Sequence, residues 1–287
     1  MEIKDKVTDL IRNNRTRLPT LPVVINNIIL LARSEKTSAR DLADFIINDQ
    51  AISARVLKIA NSAYYGMSQK IDSISRAVVV LGFKEIISLA LGMGVFSALS
   101  QKGKDVRIDM TELWKHAIGV GFAARAIVQR GGVLVDETTF LVGLLHDIGK
   151  VVFSIYFPEE YGEVLGKTVH REIPLCHMEK QILGLDHAEM AYLLMKQWNF
   201  STDIIQPIRY HHVPSACQGS HRYMAMVINV ANFLCHQLGI GESGNKNIQQ
   251  DKEVPAKLGL SDQDMVTLTE ALESEQSQVE DFLEALS

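Results

Sequence analysis

The sequence predicts an all-α fold in which an N-terminal helical bundle packs with a second helical bundle. Apolar residues recur at helical spacing along nearly the whole chain, strand patterns are almost absent, and proline and glycine interrupt the helical runs. The most strand-like run, Val78–Leu81, continues a helical stripe from Ile74 and Ala77. Of the 287 residues 47% are hydrophobic and 22% charged. These values exclude disordered, collagen-like and disulfide-framework proteins.

The first helices are delimited by prolines and by a capping residue. Apolar residues at helical spacing predict helices over Val7–Ile11 and Ile25–Ala32. Pro19 and Pro22 mark the break between these helices. Ser38 is a favourable N-cap and therefore predicts the start of another helix.

The segment Asn48–Gly66 carries an apolar stripe and ends in Tyr64 and Tyr65. The two tyrosines form an aromatic knob at a helix end, and aromatic residues are enriched in protein interfaces. Two interpretations stay open. The tyrosines either pack a helix corner within the chain or provide a contact surface for a protein partner.

The second half of the chain is also punctuated by glycine and proline. Ser100–Asp109 lacks an apolar period, and we set a domain boundary there. Gly131 and Gly132 close the helix that begins near Asp109, and Pro158 ends a later helical run. The predicted units are 1–103, the N-terminal bundle; 104–240, a second helical bundle; and 241–287, a linker with a C-terminal amphipathic helix.

The acidic charge of the protein, -5 in total, belongs to its C-terminal segment. From Glu242 to Ser287 there are eleven acids and three bases, whereas the rest of the chain carries +3. This balance gives no indication of a nucleic-acid binder. The apolar residues of the segment recur at spacings of three, four and seven: Met265, Leu268, Leu272, Val279, Phe282 and Leu286. A helix with one apolar face docks most simply on the body of its own chain.

Cysteine usage and hydropathy predict a cytoplasmic protein. Cys176, Cys217 and Cys235 form no CxxC pair and cannot all be bridged. Met1–Asn14 lacks the apolar core of a signal peptide. The longest nearly uncharged apolar stretch, Ile86–Leu99, is shorter than the roughly 20 residues that a spanning helix needs. We therefore expect no membrane span.

The nine histidines are the unusual feature of the composition. His146 and Asp147 follow an apolar helical run, and His211 and His212 form a second adjacent pair. Neighbouring side chains of this kind can close on one metal ion, or the carboxylate can bridge two ions. Imidazole and carboxylate without thiolate suit Fe, Mn, Zn or Ni. The alternative for a bare His–Asp pair is a hydrogen bond at a helix end.

Three further candidate ligands each have an ordinary alternative. His116 lies on an apolar helix face, where a single histidine is usually a hydrogen-bonded core residue. His187 follows Asp186 at a start that resembles a capping box, so it is either an exposed first-turn residue or a ligand at a helix end. Asn232 interrupts an apolar helix, as an interhelical hydrogen bonder or as a neutral oxygen ligand. We give the other four histidines a structural interpretation: His170, His177, His221 and His236.

These residues resemble the pattern of the HD-domain superfamily of metal-dependent phosphohydrolases. That pattern is a helical His, a His–Asp doublet and a distant Asp. His116, His146 and Asp147 match it, whereas Asn232 stands at the position of the final Asp. In this resemblance Lys150 occupies the place of a lysine near the substrate phosphate.

The remaining histidines resemble the two-metal HD-GYP group of that superfamily. His187 matches the ligand of the next helix, and His211 and His212 match the doublet that follows. Val213 and Pro214 then replace the Gly-Tyr-Pro loop of the group. This departure argues against cyclic-dinucleotide hydrolysis of the usual kind.

Over roughly residues 15–286 the better resemblance is to the HDOD family. The matching blocks are LPTLP (Leu18–Pro22), DLADFI (Asp41–Ile46), NDQAISARVLKIANSAYYG (Asn48–Gly66) and SISRAVVVLGFKEI (Ser73–Ile86). Gln50 departs from the family, which commonly has proline there. HDOD proteins are mostly regarded as regulatory output or scaffold modules in bacterial signalling, and many have lost the HD ligands. This sequence retains nearly all of them.

The resemblance implies two alternative functions. The first is a bacterial signal-transduction protein with a metal-binding, degenerate HD site and a protein partner in its pathway, contacted at Tyr64 and Tyr65. The second is an active metal-dependent phosphohydrolase, a phosphomonoesterase or nucleotide phosphodiesterase, with Asp147 and Lys150 as catalytic residues and a phosphate or nucleotide ligand. Because Asn232 removes a negative charge from the site, the first is favoured.

The expected cofactor is a divalent transition metal, Fe or Mn in the first place and Zn or Ni as alternatives, in one or two ions. Its ligands would be His116, His146, Asp147, His187, His211, His212 and Asn232.

Overall fold

The computed structural model describes residues 20–34, 37–100, 107–132, 138–170, 173–246 and 252–286. About three quarters of the described residues are helical, and the described residues contain no strand. The all-α prediction is therefore confirmed. The predicted helix over Val7–Ile11 and the predicted boundary at residue 103 lie outside the described residues.

The helices follow one another closely along the chain. In order they are α1 Val23–Ala32, α2 Ala39–Ile47, α3 Gln50–Ala60, α4 Ile74–Leu81, α5 Phe83–Ser100, α6 Met110–Arg130, α7 Thr139–Leu145, α8 Ile148–Tyr156, α9 Pro158–His170, α10 Leu175–Leu183, α11 His187–Gln197, α12 Thr202–Tyr210, α13 His221–Gln237, α14 Glu253–Lys257, α15 Asp262–Ser274 and α16 Gln276–Leu286. Short 3-10 turns cover Ala63–Tyr65 and Pro214–Ala216.

Capping residues set several of these boundaries as the sequence predicts. The Ser38 hydroxyl accepts from the backbone N–H of Asp41, and the Asp41 carboxylate accepts in return from the backbone of Ser38. Gly131 is the C-cap of α6. Pro158 differs from the prediction, because it begins α9 directly after α8 has ended at Tyr156. The first turn of a helix tolerates proline, since its N–H has no intrahelical partner there.

Helix α6 is the central helix of the second half. It packs against α7 and α13, and also against α15 and α16 of the C-terminal segment. Gly121 of α6 and Gly143 of α7 allow the backbones of these two helices to lie in direct contact. A Cβ on Gly143 would lie 2.6 Å from the Cα of Gly121, so only glycine fits between these backbones. This contact fixes the spacing between α6 and the end of α7.

A buried polar cluster joins the N-terminal helices to α6. Glu85 of α5 is 3% exposed and forms an ion pair of 2.5 Å with Arg125 of α6. The hydroxyl of Tyr65 donates to the same Glu85 carboxylate. The Tyr64 ring stacks on Phe122 of α6, with 3.8 Å between centroids. Both tyrosines therefore pack a helix corner inside the chain while staying half-buried. A contact with a partner protein stays a prediction.

The C-terminal segment docks on the body, but it does so as two helices where the sequence predicts one. The helix breaks at Glu275, between α15 and α16. A single helix of this length would extend about 37 Å at 1.5 Å per residue. The break lets α15 and α16 both pack on α6, and α16 also reaches α3 and the turn at Tyr64. The short helix α14 lies in the region predicted as linker.

Charge and aromatic packing both hold this segment. The amine of Lys58 lies 3.6 Å from the Glu284 carboxylate and also donates to the Glu284 backbone carbonyl at 2.7 Å. Arg130 pairs with Asp264 at 2.5 Å. These contacts place acids of the tail against bases of the body. Phe282 is fully buried, and its ring meets those of Phe122 and Phe140 at centroid distances of 5.5 and 5.1 Å.

One described stretch is long and apolar enough to cross a membrane, Thr139–Tyr156, and 89% of it is buried within the protein. A bent pair, α4 with α5, passes the same test of length and composition, but its two helices meet at 117°. The apolar character of Thr139–Tyr156 is accounted for by its place in the core.

We expect Phe282→Ala to lower the free energy of unfolding by about 3–5 kcal/mol, because it opens a cavity between α16, α6 and α7. Urea unfolding followed by circular dichroism measures the change. Val266→Ala is the matched control, since Val266 lies on α15 but is 49% exposed and should change stability by less than about 0.5 kcal/mol. Equal effects of the two substitutions would show that the tail is not packed as described.

Candidate metal centre

The structure brings all seven predicted ligand residues and Lys150 together in the interior of the second half. His116 lies on α6, the His146–Asp147 pair lies between α7 and α8, and His187 is the first residue of α11. The exposed fractions are His116 1%, His146 0%, Asp147 2%, Lys150 1%, His187 0%, His211 0% and Asn232 4%. His212 is half-buried, so it is the member of the set nearest the solvent.

Helix ends, and not helix faces, direct two of these histidines. His146 is the C-cap of α7 and His211 is the C-cap of α12. The last carbonyls of a helix have no partner within the helix. Each histidine meets such a carbonyl with its Nδ1, at 2.7 Å from the oxygen of Gly143 for His146 and at 2.7 Å from that of Ile208 for His211. The Nε2 atom of each ring therefore points away from its own helix.

The same orientation recurs in two further histidines. Nδ1 of His116 lies 3.2 Å from the Ile240 carbonyl oxygen, and Nδ1 of His187 lies 2.6 Å from a carboxylate oxygen of Glu179. In all four rings the acceptor at Nδ1 requires a proton there. A neutral ring then presents a lone pair on Nε2. This is how metal-binding histidines are commonly oriented.

Two buried nitrogens of the set, Nε2 of His146 and Nε2 of His211, have no hydrogen-bond partner. Oδ1 of Asp147 also accepts no hydrogen bond, although Nε2 of His187 lies 3.2 Å away. Buried acceptors are normally satisfied, so this cluster calls for a positive group. The side chains form two groups, His116 with His146 and Asp147, and His187 with His211 and His212. In each group the ligand atoms lie within 4.8 Å of one another. The residues therefore fit one or two divalent metal ions.

The charge states fit the same chemistry. Burial lowers the pKa of His116 to about 3, and it holds the pKa of His211 and of His212 well below the ordinary value, so these rings are neutral ligands at pH 7. Burial also opposes the charge of Asp147. However, His146, Lys150 and His187 outweigh burial and hold the pKa of Asp147 well below its usual range.

His187 differs from the other rings. Burial disfavours its charged form, but the carboxylate of Glu179 outweighs burial and raises the pKa of His187 to about 9. Its Nε2 lies 2.7 Å from Nε2 of His212, so a protonated His187 donates to the neutral ring of His212. This proton lies between the two Nε2 atoms, on the side of both rings where a bound cation would lie.

The side chain of Asn232 contacts Nε2 of His116, the ring nitrogen that does not face Ile240. The structure places Oδ1 of Asn232 2.9 Å from Nε2 of His116. Neutral His116 uses its one proton on Ile240, so Nε2 can only accept. The two ends of an amide are related by a 180° flip, and the orientation that fits has the N–H group toward Nε2. This contact joins α13 to α6, and the assignment of Asn232 as a metal ligand stays a prediction.

Lys150 is held within the cluster. Its amine donates to Oδ2 of Asp147 at 2.6 Å, and the side chain is almost fully buried. Oδ1 of the same carboxylate lies 3.2 Å from Nε2 of His187. Asp147 thus stands between the two groups of ligands. Its two oxygens face Lys150 on one side and His187 on the other.

Sequence reasoning missed Glu179 and Tyr161. Both are fully buried, and the Tyr161 hydroxyl lies 3.1 Å from Oε1 of Glu179. Burial and the neighbouring Glu179 raise the pKa of Tyr161 well above its ordinary value, so the hydroxyl stays a donor. A signal was present in the sequence, because Glu179 lies midway between Leu175 and Leu183 on an apolar stripe with a spacing of four.

Other described features lie apart from this cluster. His221 pairs with Asp203 at 3.3 Å, as befits its structural interpretation. A cleft of about 600 Å³ lies between α1, α5 and the start of α12, and none of the seven ligand residues lines it.

Comparison with known proteins shows which family and which relatives this chain is similar to. The family model of the HDOD domain matches residues 18–214, more than half of the chain. An uncharacterized protein of Treponema pallidum (strain Nichols) is 28% identical over 217 residues, 74% of this chain and 41% of that protein. The uncharacterized protein YuxH of Bacillus subtilis (strain 168) is 32% identical over 79 residues, 28% of this chain and 19% of that protein. The chain thus spans less than half the length of these curated relatives.

Solved structures share the whole fold. An HDOD domain protein of unknown function from Geobacter sulfurreducens has a TM-score of 0.79 and 25% identity, with 100% of this chain and 99% of that chain covered. A Shewanella amazonensis SB2B protein, named as a proposed phosphohydrolase, has a TM-score of 0.76 and 23% identity over 98% of each chain. A proposed signal transduction protein from Marinobacter aquaeolei VT8 has a TM-score of 0.76 and 23% identity, covering 100% of this chain and 61% of that one.

We expect Gly149→Ala to destabilise the protein and to disturb the cluster, because a Cβ there would lie 2.0 Å from the backbone oxygen of His187. Overpacking of this kind costs about 3 kcal/mol, measured by urea unfolding of the metal-free protein. Gly166→Ala in α9 is the control. A Cβ there meets nothing within 4 Å, so it should stabilise by up to about 1 kcal/mol. A Gly149→Ala protein as stable as wild type would contradict the close contact of α8 with α11.

We expect Asn232→Asp to change the metal-free and metal-loaded protein in opposite directions. Without metal, a carboxylate facing the lone pair of His116 should cost about 1–3 kcal/mol of stability. With metal, the added charge should tighten binding about tenfold or more, as measured by calorimetric titration with Zn²⁺. Gln263→Glu adds the same charge at an exposed position on α15 and should change neither quantity appreciably. Unchanged Zn²⁺ affinity in Asn232→Asp would exclude position 232 from the site.

Proposed function

Because this chain belongs to the HDOD family, we propose that it is a bacterial signal-transduction protein whose histidine cluster holds one or two divalent metal ions for regulation. The observation that carries the proposal is the common orientation of four buried imidazoles, each anchored through Nδ1 with Nε2 toward the centre of the cluster. Fe or Mn is the proposed metal, with Zn or Ni as alternatives, since imidazole and carboxylate ligands suit all four.

Burial of the cluster supports regulation over turnover. Six of the seven ligand residues are at most 4% exposed, so a substrate would need to displace protein to reach the metal position. An ion enclosed in this way stabilises the folded state by its binding free energy. The protein could therefore report the presence of the ion through the packing of α6, α11 and α13, which carry its ligands.

The position of Lys150 also supports regulation. A lysine that stabilises phosphate must present its amine to the substrate, whereas the Lys150 amine is bonded to Asp147 inside the cluster. Asn232 adds to the argument, because it is neutral and it occupies the free nitrogen of His116.

A second candidate function is a metal-dependent phosphohydrolase acting on phosphomonoesters or nucleotides. It is favoured by the two complete ligand groups around Asp147. A bound divalent ion would supply Lewis-acid activation of water and neutralisation of phosphate charge. In this case Asp147 and Lys150 would be the residues closest to the reacting atoms, and opening near the half-buried His212 would admit the substrate.

The cellular setting belongs to the same proposal. We propose a cytoplasmic location, which the three unpaired cysteines support, since each of them is buried and free. A protein partner in the signalling pathway would contact the half-buried edge of Tyr64 and Tyr65, where the N-terminal helices meet α6.

Metal analysis of protein purified without added metal tests the proposal. We expect about one or two equivalents of a divalent transition metal in the wild type, and a loss of at least half of it in His146→Ala and in His211→Ala. His177→Ala, which removes an exposed histidine, should retain the wild-type content. Protein that contains no metal and binds none on titration would refute the proposal.

A hydrolysis assay separates the two functions. We expect the metal-loaded protein to turn over none of a set of phosphomonoesters, nucleotides and cyclic nucleotides. Turnover that Asp147→Ala abolishes and that Tyr65→Ala retains would instead establish the phosphohydrolase.

A further inference from the structure

Glu179 of α10 is a buried carboxylate with both oxygens in use. Oε2 accepts from the backbone N–H of His187 at 2.8 Å and from its ring Nδ1 at 2.6 Å. Oε1 accepts from the Tyr161 hydroxyl of α9 at 3.1 Å. Three helices, α9, α10 and α11, therefore meet at this one side chain, which is 0% exposed.

Helix capping alone does not account for this arrangement. Helix α11 already has a reciprocal cap, formed by Asp186 and Glu189. The backbone N–H of His187 would be satisfied by any acceptor. The additional bond to Nδ1 fixes the rotation of the ring and its tautomer, and so aims Nε2 at the cluster.

Glu179 also differs from the acceptors of the other anchored rings. His116, His146 and His211 each meet a neutral backbone carbonyl. Only His187 among these four meets a carboxylate. A carboxylate behind an imidazole makes the opposite nitrogen a stronger ligand.

The charge of the two ligand groups explains why this matters. The group of His116 and His146 contains its own carboxylate, Asp147. The group of His187, His211 and His212 consists of imidazoles alone. Asp147 approaches this second group, but its other oxygen is already paired with Lys150. Glu179 brings a whole negative charge to the second group without occupying a coordination position.

We propose that Glu179 is a positioning residue for a divalent cation in the group of His187, His211 and His212. It directs Nε2 of His187 to the ion and supplies the negative charge that three imidazoles lack. Tyr161 donates to the second oxygen of Glu179 and so keeps the carboxylate oriented toward the His187 ring. This inference rests on the metal binding proposed above and adds a residue that does not touch the ion.

Titration of metal-free protein with Zn²⁺ tests the inference in Glu179→Gln, which removes the charge while preserving the shape. We expect the affinity of the group of His187 to fall about 10–100-fold, with little change in the other group. His187→Ala identifies the binding step that belongs to this group. Co²⁺ in place of Zn²⁺ gives a second readout, because the absorption band lost in His187→Ala should shift or weaken in Glu179→Gln.

Glu189→Gln is the matched control, since it removes an acid from the same helix start at a side chain that is 34% exposed. It should leave both binding steps unchanged. Wild-type Zn²⁺ affinity in Glu179→Gln would overturn the role of Glu179. If Glu179→Gln does not fold, Tyr161→Phe carries the test, and we expect a several-fold loss confined to the same step. Unchanged binding in Tyr161→Phe would then overturn the inference.

The two proposals fail in different ways. Wild-type protein that binds no Zn²⁺ would refute the metal site and the role of Glu179 together. Wild-type binding that is untouched in Glu179→Gln would refute the role of Glu179 alone and leave the metal site standing.

Discussion

The interior of the second half depends on how four imidazoles are anchored through Nδ1. A neutral histidine has one N–H, and a buried one must donate it. Here the acceptors at Nδ1 are the carbonyls of Gly143, Ile208 and Ile240 and the carboxylate of Glu179. Each acceptor is part of the backbone frame or is held by it. The orientation of the four Nε2 atoms is therefore a consequence of the fold, and it is set before any ion is bound.

The helix pattern serves this arrangement. Short helices such as α7 and α12 end inside the protein, and at each end the ring of a histidine donates to a carbonyl of the last turn. Long helix α6 supplies His116 and also the surface on which α7, α13 and the C-terminal helices pack. The same helix binds Glu85 through Arg125. The cluster and the junction of the two halves are thus built on one helix.

Sequence reasoning recovers the fold class and the members of the cluster because both leave local traces. Helical spacing predicts the all-α fold, and the pairs His146–Asp147 and His211–His212 stand out as adjacent ligand types. The break at Glu275 leaves no such trace, since the apolar spacing continues across it and only the packing on α6 requires it. The partners at Nδ1 are equally hidden. Ile240 is 124 residues from His116 and contributes only a backbone oxygen, which no residue type encodes.

Glu179 was missed for a related reason. A glutamate on an apolar stripe is visible in the sequence, but its partner His187 lies beyond the turn that ends α10. Only the position of α11 relative to α10 turns the two into a pair. Asn232 was recognised, yet its orientation toward His116 depends on how α13 crosses α6.

The enclosure of the cluster has a kinetic consequence. An ion held by side chains that are almost fully buried would not exchange by simple diffusion, and His212 is the half-buried member of the ligand set. Release would wait for the chain after α12 to open, so its rate would follow the local unfolding equilibrium of that segment. A protein of this kind would retain its ion after the surrounding metal concentration had fallen, for as long as that opening takes.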